Sequence, residues 1–362
     1  MQAKLAEVCS CFRIVGQFDS WEELKVGNIN KTYRVTFARE NGMKKSYIMQ
    51  KVNTYVFPHP EQVMENIERV TQHLRAVDPG HAALHYHHTK ERKNFIWDGD
   101  DIWRMCNYIP SAADVDNRDE TLVRNAGFAF GEFQYMLSGF NADELYQTIP
   151  EFHNKLKRYE ALEAAIRENP VSMAAAMQAE IDYLLSVKEE ACLLCRLQAE
   201  GKLPLRVTHN DTKVNNVLFD KKDHRALVVI DLDTVMPGLT GNDFGDAIRS
   251  VANTAAEDDP DVSHVSCDLE LFRAFTDGFL EKTARSLTET EIETLPASCF
   301  CLTVELAVRF LTDYLLGDPY FYCAHPEHNR DRTRNQIALA KDIWIKQPQM
   351  KQIINACLKE YR

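Results

Sequence analysis

The residues best suited to chemistry lie in one segment of the second half of the chain. His209-Asn-Asp211 is followed by Asn216, and a short apolar run then ends in Asp231-Leu-Asp233. Transfer of a phosphoryl group needs one carboxylate to orient the accepting hydroxyl. It also needs an amide and a second carboxylate to hold Mg²⁺ against the ATP phosphates. Asp211, Asn216 and Asp231 supply these groups in that order, and Asp233 is a possible additional metal ligand.

Two short apolar runs should bring these groups together. Residues 217–219 and 226–230 are rich in β-branched side chains and are separated by a polar stretch, which predicts a hairpin. Asn216 enters the first strand and Asp231 leaves the second, so both are expected at one end, beside the loop that carries Asp211. Two hard oxygen ligands suit Mg²⁺, which completes its shell with water and phosphate oxygens.

Neighbouring residues are expected to support this loop rather than to react. His209 is interpreted as a scaffold residue that is hydrogen-bonded within the loop. Asp243-Phe-Gly matches the metal-binding triplet of protein kinases, but it follows a turn-rich loop and no strand delivers it to Asn216, so Asp231 keeps the metal. Asp243 and Asp246 then begin a helix, where carboxylates are favourable. Asp246 is also a candidate to brace the catalytic loop by hydrogen bonds.

The order of the remaining elements predicts an α+β, two-lobed protein-kinase-like fold. The chain has 362 residues, which is more than one hydrophobic core usually holds. Residues 1–108 are predicted to form a small antiparallel-sheet lobe that binds ATP, and residues 109–362 a larger, mainly helical lobe with the catalytic loop, metal site and substrate site. Apolar periodicity predicts strands at 33–37, 46–52, 95–97 and 102–109, and helices at 60–74, 120–137, 151–168, 172–200, 244–251, 269–282, 289–316 and 332–344.

This layout places ATP between the two lobes. The segment from residue 27 to 33 precedes the first hairpin strand, and its small or polar residues would let the backbone approach an anion. Asn28, Asn30 and Thr32 are the candidate phosphate contacts there. The hinge between the lobes is predicted at Met105 to Tyr108, including Asn107, whose backbone groups could read the adenine edge.

A lysine that grips the α- and β-phosphates is harder to assign. Either Gln50 or Lys51 can face ATP, because successive strand residues point to opposite faces. Lys51 has the right charge, and Glu65 on the following helix could orient it as in the kinase ion pair. The alternative makes Lys51 a solvated strand residue and lets Gln50 face the nucleotide.

Composition narrows the kinds of molecule that this protein is expected to bind. The formal net charge of −12 and the acidic pI near 5.5 argue against nucleic acid or an anionic membrane surface as the main partner. The N-terminal residues lack a basic segment followed by an apolar region, and no run is expected to span a bilayer. The sequence therefore predicts a cytoplasmic protein, with reduced cysteines, that acts on a small molecule.

Several segments together resemble the N-acetylhexosamine 1-kinases of the aminoglycoside phosphotransferase and choline kinase-like superfamily. They are Gly27-x-Ile-Asn-x-Thr-Tyr33, Gln50-Lys-Val-Asn-Thr-x-Val-Phe57, and the stretches 205–213, 230–238, 243–249, 309–321 and 326–329. The resemblance implies ATP- and Mg²⁺-dependent phosphorylation of the anomeric hydroxyl of N-acetylglucosamine or N-acetylgalactosamine. Asp211 would accept the hydroxyl proton. Arg309 and Tyr320 would hydrogen-bond the sugar.

Alternatives remain for the role of Arg309 and for the function of the whole protein. Arg309 could instead form a structural salt bridge with Glu305 or Asp313, one helical turn away on either side. The acceptor could be another small hydroxylated metabolite, such as choline, homoserine or a different hexose. A catalytically inactive, kinase-like binding protein is a third hypothesis, although it would have no need to keep all of Asp211, Asn216 and Asp231.

Overall fold

The first part of the chain is built around a five-stranded antiparallel sheet. The computed structural model describes residues 1–24, 30–80, 84–112 and 118–362. The strands lie in the order β1-β2-β3-β5-β4. The elements of this part are α1 (Gln2–Ser10), β1 (Gln17–Leu24), β2 (Lys31–Ala38), β3 (Lys44–Val52), α2 (Pro60–Val77), β4 (Ile96–Asp98) and β5 (Asp101–Asn107).

The two faces of this sheet pack against different partners, because alternate strand residues point in opposite directions. Tyr33, Val35 and Met49 form one hydrophobic cluster with α1. Val52 belongs to the main core with α2 and the C-terminal helices, and Ile48 packs against that core. Even-numbered residues of β3 therefore face α2 and the rest of the protein, whereas odd-numbered ones face α1.

The second part is mainly helical and holds two short antiparallel pairs, β6 with β9 and β7 with β8. Its elements are α3 (Glu120–Met136), α4 (Lys155–Glu168), α5 (Gln178–Ser186), α6 (Lys188–Ala191), α7 (Leu193–Ala199), β6 (Arg206–Thr208), β7 (Val217–Phe219), β8 (Ala226–Val229), β9 (Met236–Gly238), α8 (Thr240–Val251), α9 (Leu269–Thr283), α10 (Glu289–Leu315) and α11 (His328–Tyr361).

Helix α10 packs against α4, α8 and α11. It begins with a capping box in which Thr288 and Glu291 each bond the other's backbone N–H. By length and hydropathy this helix could cross a membrane, contrary to the expectation from the sequence. However, 83% of its apolar stretch is buried inside the protein. Its composition is therefore that of a core helix, apolar on every side because it is surrounded by other helices.

The structure confirms the predicted two-part α+β layout and the β7–β8 hairpin, with three corrections. The single helix expected at 172–200 is divided into α5, α6 and α7, with breaks at Val187 and Cys192. No Pro or Gly marks these breaks, so the sequence carries no stop signal there. Helix α1 and strand β1 were not predicted, and β1 is a largely exposed edge strand without alternating hydrophobicity. Helix α11 continues past its predicted end at residue 344 and past Pro348, and it ends at Tyr361.

Candidate active site

The loop between β6 and β7 brings together the first two residues of the predicted catalytic set. The Asn216 amide donates to the backbone carbonyl of Asp211 at 2.8 Å and to its Oδ2 at 3.0 Å. The Asn216 Oδ1 has no hydrogen-bond partner among the described residues, so it is available to a metal. The backbone N–H of Ile230 donates to the Asn216 carbonyl at 2.8 Å, which fixes the exit of the hairpin beside the loop.

Lys213, which was not among the predicted site residues, places its Nζ 2.8 Å from Asp211 Oδ1. Burial raises the pKa of Asp211. The ion pair with Lys213, the nearby His209 and the Asn216 hydrogen bond outweigh that effect and leave the pKa below its ordinary value. Asp211 is therefore a carboxylate at neutral pH. The Asp-x-Lys spacing in the sequence is the signal that could have identified this pair.

His209 is buried and holds the loop in place. Its Nε2 lies 2.9 Å from the Ile230 carbonyl, and its Nδ1 accepts from the Asp211 N–H at 3.3 Å. Both ring nitrogens are thus engaged with the backbone, and Phe130 and Phe133 pack their rings against the imidazole. This placement matches the scaffold position expected from the sequence and leaves the ring no free nitrogen to act as a base.

Asp243 and Asp246, in the first two turns of α8, support the same loop. Asp243 accepts from the backbone N–H of His209 at 2.9 Å and of Asn210 at 2.7 Å. Asp246 accepts from the backbone N–H of Thr212 at 3.0 Å. The sequence suggested such bracing only for Asp246. For Asp243 it predicted only a place at the start of the helix, whereas the structure shows it bonded to two backbone N–H groups of the loop.

Asp231 follows β8 and opens into the cleft between the two parts of the protein. Its backbone is left-handed, with φ of 60°, a conformation that Asp tolerates better than most residues. Desolvation, together with Asp233 and Asp211, raises the pKa of Asp231 to about 6, and Arg104 opposes this rise. Carboxylate and amide oxygens are the ligands that suit a hard cation such as Mg²⁺. Asp231 and Asn216 therefore fit the proposed Mg²⁺ ligand set.

Asp233, expected as a possible metal helper, is placed differently from Asp231. Its side chain is 3% exposed. Oδ2 accepts from the Asn30 amide at 2.6 Å, and Oδ1 forms an ion pair with Arg104. Because both oxygens are engaged by groups from the sheet, this geometry argues against the metal role predicted for Asp233.

The choice between Gln50 and Lys51 is decided by the two faces of β3. Gln50 lies on the face toward α2, where its amide donates to Thr32 Oγ1 at 3.2 Å. Lys51 lies on the opposite face and pairs with Asp101 at 2.6 Å, while Glu65 pairs with Arg69. Of the two alternatives, the ion pair of Lys51 with Glu65 is therefore wrong, and Gln50 is the residue that faces the cleft. The ion-pair prediction failed because β3 presents a glutamine, not a lysine, at the position that faces the cleft.

The predicted nucleotide contacts are only partly available. Asn28 lies outside the described residues, and the Asn30 side chain bridges Asp233 and the backbone N–H of Asn53 at 2.9 Å. In the hinge, the Met105 carbonyl accepts from the N–H of His87, and the Asn107 N–H donates to the carbonyl of His85.

Within the described part of the chain, Tyr108 and Ile109 have no backbone partner for their own N–H and C=O groups. These groups lie immediately after β5, so the backbone that could read an adenine edge starts at Tyr108. Of the predicted hinge residues Met105 to Tyr108, Tyr108 is therefore the one with unbonded backbone groups among the described residues, and its contact with adenine stays a prediction. The Tyr108 hydroxyl accepts from Arg34 at 3.4 Å, which orients this residue beside the sheet.

Arg309 and Tyr320, the predicted substrate contacts, lie together at a cluster of aromatic rings. The Arg309 guanidinium is 5.3 Å from the ring centre of Phe321, 5.7 Å from that of Phe152 and 6.0 Å from that of Tyr320. It has no carboxylate partner among the described residues. The alternative salt bridges are not formed, because Glu305 pairs with Lys155 and His153, and Asp313 accepts from the N–H groups of Tyr320 and Phe321 and from the Asn329 amide.

Comparison with solved structures shows which class of proteins shares this fold. The chain is similar to amicoumacin kinase hAmiN in complex with AMP-PNP, Ca²⁺ and Ami, at 14% identity and a TM-score of 0.63, covering 93% of this chain and 92% of that one. It is also similar to a spectinomycin phosphotransferase bound to ADP and spectinomycin, at 14% identity and a TM-score of 0.57, with coverage of 94% and 98%. A choline kinase from Cryptosporidium parvum matches at 13% identity and a TM-score of 0.54, with coverage of 99% and 98%. The fold is that of the two-lobed, kinase-like phosphotransferases.

The family is shown by a match to a sequence model. Residues 20–274 match APH, the phosphotransferase enzyme family, and this range covers more than half of the chain. The protein belongs to the APH phosphotransferase enzyme family.

Proposed function

We propose that this protein is an ATP- and Mg²⁺-dependent kinase that phosphorylates the anomeric hydroxyl of an N-acetylhexosamine. N-acetylglucosamine and N-acetylgalactosamine are the candidate acceptors, and the product is the sugar 1-phosphate. Family membership supports phosphoryl transfer. Similar structures that hold AMP-PNP with Ca²⁺, or ADP, support a nucleotide and a divalent cation as the other components.

The catalytic loop has the groups that this transfer requires. Asp211 is held as a carboxylate and can orient the sugar hydroxyl and accept its proton as the bond to phosphorus forms. Lys213, in contact with Asp211, can balance negative charge on the transferred group. Mg²⁺ held by Asn216 and Asp231 would neutralise charge on the phosphate oxygens. The anomeric hydroxyl is more acidic than other sugar hydroxyls, so a carboxylate is a sufficient base.

The unpaired charge of Arg309 is the observation that carries the choice of acceptor. A second guanidinium, that of Arg158, lies nearby, and burial together with Arg309 lowers the pKa of Arg158. A cationic acceptor held about 5 Å from a guanidinium would be disfavoured by roughly 3 kcal/mol at an effective dielectric constant of 20. A neutral acetamido sugar offers carbonyl and hydroxyl acceptors for the guanidinium and an apolar face for the aromatic rings. The positive charge of these guanidinium groups therefore favours an uncharged sugar over choline as the acceptor.

A chain of buried contacts connects this cluster to the catalytic loop. Asn242, next to Asp243 in α8, accepts from the Lys155 ammonium at 3.0 Å. Lys155 in turn pairs with Glu305 at 2.9 Å. Arg309 follows Glu305 by one turn of α10, roughly 6 Å along the helix. The turn of α10 before Arg309 is thus joined to α8, whose Asp243 and Asp246 bond the catalytic loop, which supports the assignment of Arg309 to the acceptor site.

The proposed function also assigns a role to each of the two lobes. Residues 1–108 would form the ATP-binding lobe, since the sheet ends at Asn107. Residues 109–362 would form the lobe that holds the metal and the sugar. We propose that the enzyme acts in the cytoplasm, where ATP and small sugars meet.

The decisive experiment is ADP release with a panel of acceptors. N-acetylglucosamine, N-acetylgalactosamine, glucose, choline and homoserine are compared at equal concentration with ATP and Mg²⁺. Turnover is expected with one or both acetamido sugars, and phosphorus NMR should show a 1-phosphate. A 6-phosphate would contradict the anomeric assignment, and turnover with choline alone would contradict the acceptor class. Nucleotide binding without turnover of any acceptor would indicate an inactive binding protein.

A paired variant tests whether Arg309 binds the acceptor. Arg309→Met is expected to raise the KM for the sugar and to leave the KM for ATP unchanged, because only the acceptor contact is lost. Lys341→Met is a matched control, since Lys341 also lies over an aromatic ring, that of Tyr183. Equal effects of Arg309→Met on both KM values would place Arg309 outside the acceptor site.

A further inference from the structure

The clearest unassigned feature is a buried arginine on β5 that faces the cleft. Arg104 is 1% exposed and lies opposite Gln50 in the β3–β5 register. Its Nε donates to Gln50 Oε1 at 2.9 Å, and its Nη1 pairs with Asp233. The guanidinium also lies 5.5 Å from the ring centre of Tyr86. A buried guanidinium is costly unless it is paired, so this position is held by the Asp233 carboxylate.

Asp233 connects the arginine to Asn30 and to the metal loop, the segment after β8 that carries Asp231. It lies two residues after Asp231, and its second oxygen accepts from Asn30, whose own Oδ1 accepts from the N–H of Asn53. One carboxylate of the C-terminal part is therefore bonded by side chains from β5 and from the residue before β2. Through these bonds the sheet holds the backbone that carries Asp231.

The lysine–glutamate pair expected at this place is not formed. Lys51 pairs with Asp101 on the far face of the sheet, and Glu65 pairs with Arg69 at the surface of α2. The side chain that meets Arg104 from α2 is Met64, whose sulfur lies 3.8 Å from Nη1. In the described part of the cleft between β3, α2 and the metal loop, the buried cation is Arg104.

We propose that Arg104 is a positioning residue that fixes the metal loop against the sheet through Asp233. It takes the structural place of the lysine–glutamate pair and acts on the metal through Asp233 and Asp231. Both Asp233 oxygens are engaged by Arg104 and Asn30, so Asp233 belongs to this connection rather than to the metal shell. The inference rests on the proposed use of a nucleotide and Mg²⁺, and it does not depend on the acceptor.

The test measures ADP binding by calorimetry across a Mg²⁺ series, together with the melting temperature. Arg104→Met is expected to raise the Mg²⁺ concentration for half-maximal ADP binding about tenfold or more, the usual cost of losing a group that orients a metal ligand. ADP binding without metal should not change. Arg124→Met is the control, because Arg124 also forms ion pairs but joins α3 to α9. It should leave the Mg²⁺ dependence at the wild-type value.

Two further variants separate positioning from simple stabilisation. Arg104→Lys keeps the charge but cannot bond Gln50 and Asp233 together, so it should fold and still need more Mg²⁺. Arg104→Met combined with Asp233→Leu replaces the buried pair by apolar groups, which can restore stability. Its melting temperature should recover while its Mg²⁺ requirement stays high.

Several outcomes would overturn the inference. Recovery of both the melting temperature and the Mg²⁺ requirement in the double variant would make the pair purely structural. Weaker metal-free ADP binding in Arg104→Met would make Arg104 a phosphate contact. A loss in Asp233→Asn far larger than in Arg104→Met would make Asp233 a metal ligand. A wild-type protein without Mg²⁺-dependent ADP binding would refute the proposed nucleotide function and this inference together.

Discussion

Among the individual residues, Asp211 is the one on which the proposed chemistry depends most directly. It is held by Lys213 and Asn216, both of which favour its charged form. Asp211→Asn keeps the shape of the side chain but removes the proton acceptor. We expect turnover to fall by at least about 100-fold, the usual contribution of a general base. ADP binding should be unaffected.

The measurement is steady-state ADP release together with calorimetric ADP binding. Asp220→Asn is a suitable control, because among the described residues the Asp220 side chain bonds only the backbone N–H of Lys222, in the hairpin turn. A near-normal rate in Asp211→Asn would place the base elsewhere.

Asp231 and Asp243 offer a second comparison between single residues. Asp231 is open to the cleft and crowded by other carboxylates, so Asp231→Asn should abolish Mg²⁺-dependent activity and leave the melting temperature unchanged or higher. Asp243 is buried and bonds two backbone N–H groups of the catalytic loop. Asp243→Asn should lower the melting temperature and reduce activity less, because losing a buried charged hydrogen bond costs about 1–3 kcal/mol. The reverse ranking of activities would assign the metal to Asp243.

Between elements, helices α3 and α9 approach each other backbone to backbone. A Cβ at Gly278 would overlap the Arg124 carbonyl and lie 2.7 Å from the backbone nitrogen of Phe128. Gly127 and Gly131 of α3 meet the backbone of α9 in the same way. These glycines let the two helices pack backbone to backbone, which positions α3 and its phenylalanines against His209.

The substitution Gly278→Ala tests this packing. Alanine gains about 1 kcal/mol of helix propensity over glycine, but overpacking costs typically about 1–3 kcal/mol and sometimes more. Because rigid backbone atoms surround the site, we expect the steric cost to dominate and the melting temperature to fall. Gly139→Ala is the control, since nothing lies within 4 Å of its Cβ. Equal melting temperatures for the two variants would contradict the close packing.

Across the whole molecule, the two parts are joined at the cleft by polar contacts. The Asn66 amide on α2 donates to the Val235 carbonyl at 3.0 Å and to the Tyr146 carbonyl at 2.8 Å. Asn30 and Arg104 bind Asp233 from the sheet side. A nucleotide with its metal would add contacts to both sides of the same cleft.

Ligand binding should therefore stabilise the whole fold. With Mg²⁺ and ATP at 100 times the dissociation constant, the free energy of unfolding should rise by about 2.7 kcal/mol. Differential scanning calorimetry should show a single unfolding transition for both parts, at a higher temperature than without ligand. With ATP and EDTA, or with Asp231→Asn, the rise should be much smaller. An equal rise without metal would contradict the proposed metal site.

The chemical core was predictable from the sequence because its partners are close along the chain. Asp211 and Asn216 share one loop, and a hairpin returns the chain so that Asp231 lies beside them. The scaffold position of His209 also follows from local spacing, whereas the hydrogen bond from the Thr212 N–H to Asp246 joins residues 34 positions apart. The fold class follows from the order of strands and helices, whose hydrophobic periods are local properties.

Tertiary structure alone decided which groups surround that core. The sequence leaves Gln50 and Lys51 as equal candidates, because strand alternation gives two faces but does not say which one meets α2. Arg104 pairs with Asp233 across 129 positions of sequence, and Asp243 reaches the catalytic loop from the next helix. Contacts of this kind occur at no fixed separation in the sequence, because they depend on how separate elements pack. The sequence thus determined which groups are candidates for the proposed chemistry, and the packing determined what holds them in place.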